Sequence, residues 1–417
     1  MKISIIGAGS PYTPEMIGKL AQEQNELPVD EICLMDIDQD RLDIMYDFCL
    51  RYGKHLGLNA SITKTVDRKQ ALINADFVNT QIRVGGNKCR VLDEKIPLSH
   101  GLIGQETTGA GGFTKCLRTI PAMLEIARDV EIICPDAWIV NYANPTGLVT
   151  EAVFKYTTAK IAGLCAGGFH AQTCTASALN VPVESVRYDL IGLNHLNFAY
   201  NITVAGKSVT DDEFAIIAEA SSGADKDLYI MLGAISIGYL SYYFHTASMV
   251  KKMSEAPKTR GEQVMELEID VFKDFADPGC NTRPESLNKR GGGGYSDCTV
   301  AVIKAIYLNR DTWTVANVPN RGAVKFLPDD TVIETPCLVN ASGFHPLAQP
   351  SPPKAVWGLI SAVKNYEQLA VEAAVTGSRE TALLALIAHP LVGDYDIAQK
   401  LLPDLLEQNK IYLPQFF

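Results

Sequence analysis

Cys165 and His195 each follow a short apolar run that reads as a strand, residues 160–164 and 190–194 respectively. A thiolate and an imidazole at adjacent strand mouths form a donor set for a divalent transition metal, with positions left open for substrate oxygens. The same two residue types also serve packing and hydrogen bonding, so spacing alone leaves both readings standing. A second set lies upstream. Arg83, Lys88, Arg90 and Lys95 precede a glycine-rich acidic stretch, Gly104-Gln105-Glu106-Thr107-Thr108-Gly109-Ala110-Gly111-Gly112. Arg83 and Arg90 suit bidentate capture of an anionic group, or stand as surface charges at the rim of a site. Asn144 precedes Pro145 just where a strand must stop, and its amide suits sugar hydroxyls as well as a turn.

These residues need a scaffold, and the N-terminus announces one. Ile3-Ser4-Ile5-Ile6 has the continuous hydrophobicity of a buried parallel strand and runs into Gly7-Ala8-Gly9-Ser10. Gly7 and Gly9 give a tight turn and close backbone approach to a pyrophosphate, and a helix should follow, with Thr13 as N-cap and Pro14 at its first position. Tyr12 stands where a third glycine would complete the dinucleotide fingerprint. A second strand, residues 32–36, ends in Asp36, placed to bind a ribose diol and repel a 2′-phosphate. Gly7, Gly9, Ser10 and Asp36 are the expected cofactor contacts, and NAD is favoured over NADP.

Strand and helix patterns then alternate past residue 150: helix over 40–54, strand over 60–65, helix over 68–74, strand over 76–81, helix over 120–132 and strand over 138–142. This predicts an α/β fold with an N-terminal doubly wound, Rossmann-type parallel sheet. Residues 1–155 form the expected nucleotide domain. Residues 156–417 form the expected metal-binding, substrate-binding and oligomerisation lobe, α+β in character. Helices are expected over 229–253, 261–275, 355–374 and 383–406, the last broken near Pro390. No Ser-, Gly- or Pro-rich linker separates the lobes, so they should share a core.

Composition narrows the function. A net charge of −11 disfavours general nucleic-acid binding, and no apolar run is long enough to span a membrane. Ten cysteines without a C-x-x-C pair suit reduced thiols, and the chain opens on a strand without a basic and apolar leader. A cytoplasmic protein is expected.

One ordered series of motifs is specific: GAGSPYTPEMI, RVGG with Arg90 and DEKIPLSHG, GQETTGAGGF with LRTIP, NPTG, GLNH, YLSYY, RGG followed by YSD, and LPDDTVIETPC. It resembles glycoside hydrolase family 4, especially its 6-phospho-β-glucosidases. The resemblance implies a fold similar to lactate and malate dehydrogenases. It also implies glycoside cleavage with NAD and a divalent metal, usually manganese, in place of the usual two carboxylates. In that chemistry NAD oxidises the sugar at C3, the C2 proton becomes acidic, the C1 substituent leaves by elimination, water adds, and the hydride returns to C3. Carried over by motif, Cys165 and His195 are metal ligands and Tyr239 is the base at C2, with Tyr242 and Tyr243 as competitors. Glu106 has a supporting catalytic role, and Arg90, Asn144 and Arg290 bind substrate. The arginine pattern points to a 6-phosphoglycoside, and a homodimer or homotetramer is expected.

Two departures from the family stand out. The residue after the metal cysteine is Asn, Asp or His in its branches, but here it is Ala166, which can neither contact substrate nor assist a leaving group. His170, four residues on, either replaces that group or is an ordinary surface histidine, the second reading being slightly favoured. Residues 209–227 are short for the branch, which bears on the aglycone side or an oligomer contact. The competing expectations are a family member acting on an unphosphorylated or differently charged sugar, an NAD-dependent hydroxy-acid dehydrogenase, and a non-catalytic NAD sensor.

Overall fold

The structure is a computed structural model that describes residues 1–290 and 293–417. Six strands, β1 (Lys2–Ile6), β2 (Glu31–Met35), β3 (Ser61–Thr65), β4 (Phe77–Thr80), β5 (Trp138–Asn141) and β6 (Lys160–Gly163), lie parallel in the order 3-2-1-4-5-6. This is the expected doubly wound sheet. Successive strand residues serve opposite faces: Ile5 and Val140 pack into one buried cluster, Ile6 and Ile139 into the other. Both faces are covered by helices, which is why these strands read as continuous apolar runs.

The rest of the chain builds on this sheet. β7 (Val186–Leu193) and β8 (Leu196–Val204) form an antiparallel hairpin, joined by β9 (Lys207–Ser208) and β10 (Ile235–Ser236) in a second sheet. β11 (Thr312–Pro319), β12 (Val332–Asn340) and β13 (Gly343–Pro346) then add antiparallel strands beyond β6, extending the first sheet to nine strands.

Three local expectations are corrected. The helix expected over 120–132 is Gly109–Ile133, so the glycines of the acidic stretch lie inside a helix. Packing demands them there, since a Cβ on Gly111 would sit 2.3 Å from the carbonyl oxygens of Asp93 and Gln105. The helix expected over 229–253 is broken into Lys226–Leu232, β10, Leu240–Phe244 and Thr246–Glu255. Gly233, at φ 63°, closes the first piece. Thr13 is not the N-cap, because Tyr12 takes that place and the helix runs Thr13–Glu23. Thr13 instead donates its hydroxyl to the Ala8 carbonyl at 2.8 Å, bracing the glycine turn.

Candidate active site

The glycine turn lies where the strand order reverses, between β1 and β4. Gly7 adopts φ 92°, and a Cβ there would lie 3.0 Å from the Gln81 and Ile82 backbone at the end of β4. Asp36 accepts a 2.8 Å hydrogen bond from the Gly9 amide, so it fixes the turn as well as standing at the end of β2. Arg41 donates to the Gly9 carbonyl from the other side. Ser10 holds the turn through its hydroxyl, which accepts from the Tyr12 amide. Gly7, Gly9, Ser10 and Asp36 are thus one structural unit.

Beyond the turn lies a cavity of about 680 Å³, walled by helix residues and by turns that follow strands of both sheets. Its lining includes Cys165, His195, Tyr239, Tyr242, Gln105, Arg90, Arg260 and Tyr295. Tyr295 connects it to the dinucleotide turn, meeting Tyr12 edge to face at 5.9 Å. Cys165 follows β6, as expected. His195 does not follow a parallel strand: it occupies the two-residue turn Asn194-His195 between β7 and β8. There it takes φ 67°, a left-handed conformation that costs a non-glycine residue on the order of 1 kcal/mol or more. The turn points the imidazole at the thiol, with Sγ and Nε2 3.7 Å apart.

That pair fits a metal. Two ligands bonded to one ion at about 2.0–2.3 Å, as nitrogen and sulfur are in zinc sites, lie no more than about 4.3 Å apart. Burial first, and then Lys115, pushes the His195 pKa down to about 4, which keeps a ring lone pair available. Among the described residues His195 Nδ1 is a buried atom without a hydrogen-bond partner. Burial and the charge of Glu334 push the Cys165 thiol up to about 12, so an ion has to displace its proton on binding. Among the described residues no group of three or more His, Cys, Asp or Glu side chains forms a metal cluster. A two-ligand set leaves coordination positions for substrate.

The hairpin turn is held from behind by a buried carboxylate. Glu334 on β12 accepts amide hydrogen bonds from Asn194, Asn197 and Asn317. Sequence reasoning missed it, because a lone Glu inside a strand gives no signal until the fold brings the asparagines to it.

Tyr239 caps the short helix Leu240–Phe244, and its phenol lies 3.4 Å from Gln105 Nε2 and 3.5 Å from Thr107 Oγ1. Burial pushes its pKa above the ordinary tyrosine value. Tyr242 also lines the cavity, whereas the Tyr243 hydroxyl is bonded to Thr108 Oγ1 at 2.9 Å.

Glu106 sits under this floor with three cations around it. Arg83 pairs with it closely, Lys115 reaches it at 2.7 Å and Arg90 at 3.1 Å. Burial works against its charge, but Arg83, Lys115 and Arg90 hold its carboxyl well below the usual range. Lys115 lies on the helix Gly109–Ile133, a part of the chain read as a plain turn and helix, so it escaped the sequence analysis. Arg260, at the start of the helix Arg260–Ala276, escaped it too.

Two expected substrate residues are not among the residues walling the cavity. Arg290 is directed instead at Glu268, 2.7 Å away, and at the Tyr12 hydroxyl. Its carbonyl accepts a 2.7 Å bond from Arg260, so it braces a residue that does line the cavity. Gly291 and Gly292, expected in a ligand loop, lie outside the described residues. Asn144 is half-buried after β5, within 3.4 Å of the Tyr142 carbonyl and the Thr146 hydroxyl.

Comparison with known proteins gives the family. The family model "Family 4 glycosyl hydrolase" matches residues 2–181, and the model of the family's C-terminal domain matches residues 190–392. A Bacillus subtilis (strain 168) protein named "Probable 6-phospho-beta-glucosidase" is 41% identical, covering 100% of this chain and 98% of the relative. The structure of the Thermotoga maritima 6-phospho-β-glucosidase with manganese, NAD⁺ and glucose 6-phosphate is 34% identical and superposes with a TM-score of 0.92, covering 99% of each chain. A 6-phospho-α-glucosidase from gut microorganisms, solved with NAD and glucose 6-phosphate, is 31% identical with a TM-score of 0.91 over 100% of this chain and 99% of the other. The chain belongs to the family 4 glycosyl hydrolases.

Proposed function

We propose that this chain hydrolyses glycosides of 6-phosphorylated sugars, using NAD and a divalent metal such as manganese. The observation that carries the reading is the meeting of Cys165, His195 and Tyr239 in one cavity with Arg90 and Arg260, beside a dinucleotide turn. Relatives over the full length are named 6-phospho-glucosidases, and related structures hold NAD, manganese and glucose 6-phosphate.

NAD, when bound, supplies a reversible hydride acceptor at the sugar C3. A divalent ion held by Cys165 and His195, when bound, supplies Lewis-acid polarisation of the C2 and C3 oxygens. Tyr239 removes the C2 proton; its phenol, raised by burial, needs a positive charge nearby to ionise near neutrality. Glu106 keeps Arg83, Arg90 and Lys115 in place and balances their charge. Arg90 and Arg260 face the 6-phosphate, where a charge-assisted bidentate contact is stronger than a neutral hydrogen bond. Arg290 supports Arg260, and Asn144 orients sugar hydroxyls. Gly7, Gly9, Ser10 and Asp36 hold the dinucleotide.

Ten cysteines free of disulfides support a reducing compartment such as the cytoplasm. Among the described residues no helix is long and apolar enough to cross a membrane. Exposed Ile216, Ile230, Met231 and Phe244 support assembly into a homodimer or homotetramer.

The test is turnover of α- and β-linked glycosides, each with and without a 6-phosphate, in the presence of NAD and manganese. Cleavage of at least one phosphorylated member is expected, with its unphosphorylated partner much slower. Preference for the unphosphorylated member would overturn the phosphate reading.

A further inference from the structure

The cavity is chemically mixed. Its lining includes Arg90 and Arg260, and separately in sequence Ala166, Gly167, His170 and Thr173, which belong to a 3₁₀ turn and the helix His170–Leu179. Burial lowers the His170 pKa, which favours the neutral ring. Its Nε2 is 2.8 Å from Ser221 Oγ, at the end of the helix Asp211–Ser221. Ser221 Oγ donates its own proton to the Ser236 carbonyl at 3.4 Å, so Nε2 donates to Ser221 and the neutral ring keeps Nδ1 as its acceptor. Nδ1 has no protein partner among the described residues and is not a sealed, unsatisfied atom, so it is the nitrogen left for a ligand. Thr173 spends its hydroxyl proton on the Phe169 and His170 carbonyls, which leaves its oxygen as an acceptor.

The cavity of about 680 Å³ falls in the size range of small-molecule sites. It has to admit the nicotinamide end of the dinucleotide as well as the sugar, and the group on the far side of the scissile bond lies against whichever wall those two leave free.

We propose that His170 and Thr173 form the subsite for the leaving group, and that they accept hydrogen bonds from its hydroxyls. This rests on the activity proposed above. Ala166 and Gly167 make the room, His170 Nδ1 accepts from an aglycone hydroxyl, and Ser221 fixes the ring so that this nitrogen faces the ligand. His170, read from sequence as a surface residue or a substitute for the polar group missing at Ala166, is in this account a recognition residue with a different partner.

The experiment compares kcat/KM of the wild type, His170→Ala and His170→Gln, with NAD and manganese, on two 6-phosphoglycosides of the same anomer. One carries glucose as aglycone, the other 4-nitrophenol. Losing one neutral hydrogen bond at a buried acceptor corresponds to about tenfold. The ratio of kcat/KM for the glucose aglycone to that for nitrophenol should therefore fall about tenfold in His170→Ala, mostly through KM, and recover partly in His170→Gln. Nitrophenyl turnover by the variants reports that they are folded. An unchanged ratio, or a wild type that favours nitrophenol with no contribution from His170, overturns the subsite while leaving the activity in place. A wild type inactive on both phosphorylated substrates overturns the activity itself and this inference with it.

Discussion

His195 and Tyr239 lie face to face, with ring centroids 4.3 Å apart and planes 11° from parallel. The stack ties the imidazole that would hold an ion to the phenol that would take the proton, so one substitution should be felt in the other's function. Cys165→Ser and His195→Ala are each expected to lose bound manganese, read by metal analysis of the purified protein, and most activity, while keeping NAD affinity. Full activity of either variant after exhaustive chelation would rule out this metal site.

The hydride shuttle gives an isotopic signature. Glycoside cleavage should need NAD yet produce no stoichiometric NADH, and product made in heavy water should carry deuterium at C2. Tyr239→Phe should suppress cleavage and exchange together, by about 10²-fold or more if the phenol is the base. Continuous NADH accumulation matched to substrate loss would point to a dehydrogenase instead.

Arg90 and Arg260 define the anionic side of the cavity. Removing a buried partner of a charge-assisted contact costs on the order of 2–5 kcal/mol, whereas a more exposed one costs less. Arg90 is largely buried and Arg260 exposed. Arg90→Ala should therefore lower kcat/KM more than Arg260→Ala, and both losses should be larger for phosphorylated than for unphosphorylated glycosides. Equal losses on both substrate types would show that these arginines do not read the phosphate.

Glu334 tests the support of the metal ligand. Glu334→Ala takes an acceptor from the buried Asn197 and Asn317 amides and from the half-buried Asn194 amide, and should destabilise the protein by about 1–3 kcal/mol. Because the asparagines frame the turn that carries His195, manganese affinity should fall as well. A stability loss with unaltered manganese affinity would assign Glu334 to folding alone.

A buried network that shares Gly147 as a neighbour with Asn194 of that turn gives a pH dependence. Lys364 pairs with Glu151 at 2.8 Å and with Glu367 at 2.5 Å, and burial, opposed by Lys364, pushes the Glu367 carboxyl up to about 7. With a folded pKa above the unfolded one, the native state binds the extra proton between about 4.5 and 7. This contribution to stability is therefore full below pH 4.5 and is lost as pH rises through 7. Glu367→Gln, which mimics the protonated form, should gain on the wild type across that window by about 1–3 kcal/mol in denaturant unfolding. A constant difference between the two proteins would show that Glu367 does not titrate there.

The parts of this molecule that could be read from sequence are those whose physics is local. β1, β2, β4 and β5 are buried on both faces, so each is a short apolar block, and Gly7 marks the close approach of a neighbouring strand. The hairpin bearing His195 was read only as a strand followed by a histidine, because the partner β8 that turns it antiparallel is a tertiary fact. The helix start at Gly109 is hidden in the sequence because glycine disfavours helices, but the Asp93 and Gln105 carbonyls leave no space for a Cβ at Gly111, nor the Thr107 backbone at Gly112. The Glu106 site was half visible: Arg83 and Arg90 stood out beside the glycines, while Lys115 is indistinguishable in sequence from an ordinary helix lysine. Arg290 was placed in the site from its motif, yet its side chain is committed to Glu268.

The cavity is a seam between two pieces of machinery. Cys165 belongs to the parallel sheet that carries the dinucleotide turn, and His195 to a hairpin in a separate sheet. Redox chemistry and proton chemistry are therefore mounted on different chassis, and only their shared edge must be kept in register. The helix that carries His170 and Thr173 packs on the second sheet through β7 and β10 and on the helix ending at Ser221. Substitutions there should therefore alter the choice of leaving group while the dinucleotide turn keeps its geometry.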